Sequence, residues 1–116
     1  MSWWVSLNDE EGNPLFVESF RDGGTYVMGG SNEADLNITY NYSRFYYQHL
    51  DKTNGLRALD GQMAKDWVDR LEAAVKVLGT AHSNDYWEAT EGNAGHALSI
   101  LLRWAKEHPE GIWRVN

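Results

Sequence analysis

The feature that most constrains this chain is a change of hydrophobic period near its middle. Leu36, Ile38, Tyr40 and Tyr42 alternate with Asn37, Thr39, Asn41 and Ser43, the period-two pattern of a half-buried strand. Beyond about Gly61 the period is that of a helix. Ala64, Trp67, Val68, Leu71, Ala74, Val75 and Leu78 recur at three- and four-residue steps, and so do Ala94, Ala97, Leu98, Leu101, Leu102 and Ala105. A chain that puts strands first and helices second is expected to be α+β, a small antiparallel sheet with two amphipathic helices packed on one face.

The boundaries follow from turn and cap chemistry. Trp3, Val5 and Leu7 form one side of a first strand, "NDEEGNP" (8–14) is a polar turn, and Leu15–Phe20 resumes an extended pattern, so a hairpin is expected. A short strand "TYVM" lies between the pairs Gly23–Gly24 and Gly29–Gly30. After Ser43 two readings stand: a helical turn or two capped by Ser43, or continuation of the strand. Asp51–Gly55 is a turn. The first long helix is expected from Gly61 to Leu78, with Asp60 as N-cap and Gly79 just past its end. The second is expected from Glu91 to Glu107, capped by Thr90 and stopped by Pro109, with Ile100 and Trp104 widening its apolar stripe. "GIWRV" closes as a strand, Ile112 pairing with the earlier sheet. The 116 residues show no repeat and no linker, and one domain spanning 1–116 is expected.

Composition excludes several functions. With no cysteine there is no disulfide, thiolate metal site or cysteine nucleophile. The net charge is −7, and the ten basic residues form no run, so direct nucleic-acid binding is not expected. Acids outnumber bases most in residues 1–60, nine to four, against eight to six in 61–116. No stretch approaches the roughly 18 apolar residues of a membrane helix, and the N-terminus lacks the pattern of a signal peptide. A cytoplasmic protein is expected.

Chemistry-bearing patterns are sparse. "GGSNE" (29–33) is not a nucleophile elbow, the four histidines are scattered, and "NDEEGN" lacks the spacing of a calcium loop. No cofactor is implied, and an enzyme is the less favoured reading. Two stretches stand out. In "TEGNAGHA", Gly92 and Gly95 open a helix where each costs close to ~1 kcal/mol relative to alanine. Either another segment packs closely there, or the free N–H groups bind an anion, with Asn93 adding an amide. In the other stretch, five of the eight residues 40–47 are aromatic. Tyr40, Asn41, Tyr42 and Arg44 offer rings for stacking, an amide for edge recognition and one cation for phosphate. The competing reading is an aromatic core with a polar outer face.

Through "LNITYNYS", "LEAAVKVLGT" and "GNAGHALSILLRWAKEHPEGIWRV" the chain resembles a group of small uncharacterised bacteriophage and prophage proteins. The similarity runs along most of the chain, and its T-Y-N-Y and G-N-A-G pieces carry no catalytic meaning. The resemblance implies a viral accessory protein in the host bacterial cytoplasm, of a kind that counters host defence. The first expectation is therefore a binding protein that sequesters a nucleotide-type ligand without turnover. Its candidate residues are Tyr40, Asn41, Tyr42, Arg44, Gly92, Asn93 and Gly95, and a homo-oligomer could complete the pocket. The alternative is an acidic inhibitor of a host defence protein, such as a CRISPR nuclease complex, and the third reading is a small hydrolase of a nucleotide signal.

Overall fold

The computed structural model describes residues 1–17, 33–81, 83–85 and 87–116. The expected "TYVM" strand, the glycine pairs around it and the end of the Leu15–Phe20 segment lie outside these residues.

The fold is α+β. A three-stranded antiparallel sheet has the order β2-β1-β3, with β1 Ser2–Asn8, β2 Asp35–Thr39 and β3 Ile112–Val115. The first strand is thus central and pairs with both others, Val5 standing opposite Leu36 on one side and Val115 on the other. Alternation decides the faces. Trp3, Val5, Leu7, Leu36, Ile38, Trp113 and Val115 are all buried, while Trp4 and Arg114 are exposed. Burying side chains of this size contributes roughly 1.5–3 kcal/mol each, and the helices supply the opposing surface.

Those helices are α1 Ser43–His49, α2 Val68–Leu78 and α3 Glu91–Glu107. The apolar stripe of α3 is buried from Ala94 to Ala105, and Ile100 and Trp104 are covered as their positions imply. Thr90 caps α3 as expected, its hydroxyl accepting from the Asn93 amide at 3.1 Å. Gly79 ends α2 at φ +79°, its N–H donating to the Val75 carbonyl at 2.7 Å. Buried side chains from both halves of the chain join in one cluster.

Three boundaries differ from expectation. β2 stops at Thr39, whose hydroxyl accepts from the Asn41 amide and starts a 3-10 turn over Tyr40–Tyr42 that leads into α1. A local side-chain bond here outcompetes strand continuation. Ser43 then lies inside the helical segment, its hydroxyl donating to the Tyr40 carbonyl. The helix expected from Gly61 begins with a 3-10 turn, Ala64–Trp67, and is α-helical only from Val68. Asp60 caps no helix: its carboxylate accepts from the Val115 amide at 2.9 Å. Together with bonds from Gly61 to Trp113 and from Trp113 to Gln62, it closes the outer edge of β3. The first hairpin is present as isolated bridges, Asn8 with Pro14 and Phe16 with Glu33, rather than as a continuous second strand.

Candidate functional site

The two stretches singled out in the sequence do meet. Asn41 donates its side-chain amide to the Trp87 carbonyl at 2.7 Å, and the Tyr46 hydroxyl donates to the Ala94 carbonyl at 3.0 Å. What joins them is close packing. Tyr42 is fully buried, and Tyr40 is half-buried edge-on against Trp3 at 4.7 Å between ring centres. Burial, with the nearby Tyr42 hydroxyl contributing less, holds the Tyr46 phenol well above its ordinary 10.0. Asn41 and Arg44 are exposed, the guanidinium lying 4.7 Å from the Phe45 ring centre.

The glycine-marked helix start is also covered. A Cβ on Gly92 would run into the Ala81 carbonyl, and one on Gly95 into the Gly79 carbonyl and Leu78. The segment after α2 therefore lies directly on the first turn of α3. Asn93 is fully buried and holds that segment in place. Its carbonyl oxygen accepts from the Ser83 amide at 2.8 Å, and its Nδ2 donates to the carbonyls of Asp85 and Glu88 at 3.1 and 2.8 Å. Of the two explanations for these glycines, close packing accounts for both.

Concave surface lies at the other end of the molecule, where two turns come together. The first follows β1. Asp9 accepts from the amides of Glu11 and Asn13 at 2.9 and 3.0 Å, and Gly12 supplies the left-handed residue at φ +86°. Leu15 then returns to bond Leu7. The second turn ends α3. His108 bonds back to Trp104, Gly111 bonds to His108, and Ala64 and Lys65 donate to the carbonyls of Gly111 and Pro109. A Cβ on Gly111 would come within 2.7 Å of Leu7, so glycine lets this turn seat against β1. The His108 ring bridges the two turns, its Nε2–H donating to the Phe16 carbonyl at 2.9 Å.

Between these turns lies a groove of ≈ 400 Å³. Leu15, Met63, Pro109 and Ile112 give it apolar lining, and Asp9, Glu10, Glu107 and Glu110 give it carboxylates. Leu15, Met63 and Ile112 are half-buried and the four acids are exposed, so the apolar surface lies below the charged one. A second groove of ≈ 510 Å³ adjoins it across Asp9, Glu10 and Ile112, and it is more polar, with Ser6, Asn8, Arg114 and Asn116. None of the seven residues singled out in the sequence lines either groove.

The carboxylates of the first groove differ in how far they are committed. Asp9 is occupied by its turn, and Glu110 pairs with Lys65 at 3.9 Å. Glu10 and Glu107 have no side-chain hydrogen bond or ion pair among the described residues. Those residues also contain no group of three or more His, Asp and Glu arranged to hold a metal ion, and no helix long and apolar enough to cross a membrane. The sequence marked "NDEEGN" only as a polar turn. The signal it carried was its share of the negative charge, but nothing local to it indicates that "KEHPEG" folds alongside.

Comparison with known proteins returns no matching family model, curated protein or solved structure.

Proposed function

We propose that this chain is a binding module without turnover that engages a basic surface of another protein through the end of the molecule built by the Asp9–Asn13 and Glu107–Gly111 turns. The observation that carries this reading is the groove between them, in which half-buried apolar residues lie beneath four carboxylates. Such a surface attracts cations over long range and then removes apolar contact area from water at short range. The reading accords with the net charge of −7. As a viral accessory protein, the chain would act by occupying a basic groove that its partner, such as a host defence nuclease, uses for nucleic acid.

The test is a titration of isotope-labelled protein with oligolysine and oligoarginine, followed by amide chemical shifts at two ionic strengths. The expected result is movement of the amides in 9–15 and 107–112, weakening as salt rises. Absence of any such movement would defeat the proposal. A parallel thermal-shift screen against linear and cyclic nucleotides addresses the sequestration reading. A stabilising nucleotide recovered unchanged, with shifts centred on Asn41 and Arg44, would restore that reading in place of this one.

A further inference from the structure

The groove between the two turns has a composition that selects among cations, and the following step rests on the binding role just proposed. We propose that this groove receives one arginine side chain of the partner, its aliphatic stem lying on Leu15, Met63 and Ile112 and its guanidinium held by Glu10 and Glu107.

Three observations lead there. First, the groove is amphipathic in the order a long cationic side chain requires, half-buried apolar residues below and exposed carboxylates above. Arginine and lysine both bury their methylene stems while leaving the charged head wet. Second, the carboxylates are unequally committed. Asp9 is held by two backbone amides of its own turn and Glu110 by Lys65. Glu10 and Glu107 have no such partner among the described residues, yet they come from turns far apart in sequence and face one groove. Third, two separate carboxylates are better matched by a planar group with five N–H donors in a fixed fork than by the compact, strongly hydrated ammonium of lysine. The charge complementarity is therefore specific to a cation, and the geometry favours the guanidinium.

The experiment uses the whole chain and three blocked short peptides of uncharged residues, identical except for a central arginine, lysine or citrulline. Affinities are read from amide shifts of Gly111 and Ile112. The expected order is arginine above lysine, with citrulline, which keeps the shape and loses the charge, not binding measurably. In the double variant Glu10→Gln, Glu107→Gln, arginine-peptide affinity should fall about tenfold, the sum of two partly exposed ion pairs. Both substitutions are at exposed positions, and a thermal melt verifies that the variant is folded. Equal binding of lysine and arginine would overturn the arginine assignment while leaving the wider binding role standing. Undiminished binding by the double variant would overturn the assignment to Glu10 and Glu107 in the same way. If neither peptide binds and the oligocation titration also fails, both proposals fall together.

Discussion

Asp35 begins β2 with a carboxyl held above its ordinary 3.8, chiefly because it is half-buried and secondarily because Glu33 stands close by with the same charge. The folded state therefore binds a proton more tightly than the unfolded chain does. Below 3.8 both states are protonated and the residue is neutral in its effect. As pH rises through 3.8 toward the folded value the unfolded state ionises first, and stability is lost. Asp35→Asn should accordingly melt higher than the parent near neutral pH, with the difference vanishing in acid. Thermal melts across that range check it, and a variant that melts lower at neutral pH would mean the carboxylate has a partner worth more than its desolvation. Asn93 is the opposite case, a polar side chain that burial favours because its amide is fully used. Asn93→Ala should cost about 3 kcal/mol, since it removes several bonds and strands a buried amide and carbonyls. The sequence correctly marked Asn93 as an amide with a purpose beside a costly pair of glycines. It did not reveal that the purpose is internal, because the Ser83, Asp85 and Glu88 groups it bonds belong to a loop whose path depends on tertiary packing.

At the scale of elements, the start of α3 shows why a helix tolerates glycine where alanine would be the better helix former. Gly95→Ala gains up to ~1 kcal/mol of propensity. It also drives a methyl into the Gly79 carbonyl, and backbone at the end of α2 cannot yield as a side-chain tip can. The net result should be a loss of about 2 kcal/mol or more, overpacking exceeding propensity. Denaturant unfolding measures it, and a stabilised variant would mean that the two helices are further apart than described. Elements were legible where one local pattern acted alone. Leu36 and Ile38 alternate into the core, Thr90 caps its helix, and Gly79 ends one. They were misread where two local signals competed. Alternation continues through Tyr42, but the Thr39 hydroxyl turns the chain three residues earlier, and the aromatic stretch becomes a helix with Tyr42 and Tyr46 inside. Asp60 has the chemistry of an N-cap, yet it serves the edge of β3, a strand more than fifty residues away in sequence.

At the scale of the whole molecule, the topology explains both where the grooves are and why no single stretch announced them. The central strand comes from the start of the chain and one of its neighbours from the end, so the turn leaving β1 and the turn entering β3 must lie side by side. Each brings acids that look like ordinary solvated turn residues when read alone. Brought together, they crowd like charges at one end of a chain that already carries −7. Repulsion of this kind has a sign that distinguishes a binding surface from a structural one. If Glu10 and Glu107 are kept for a partner, they cost the free protein stability, and neutralising them should raise its melting temperature by about 2 °C at low ionic strength. The gain should shrink as salt is added, because the Debye length falls from ~30 Å at 0.01 M to ~8 Å at 0.15 M and already screens the parent. Melts of the parent and of Glu10→Gln, Glu107→Gln at these two salt concentrations test the argument without any ligand present. A variant less stable than the parent at both concentrations would make the two glutamates structural and remove the groove's claim to a partner.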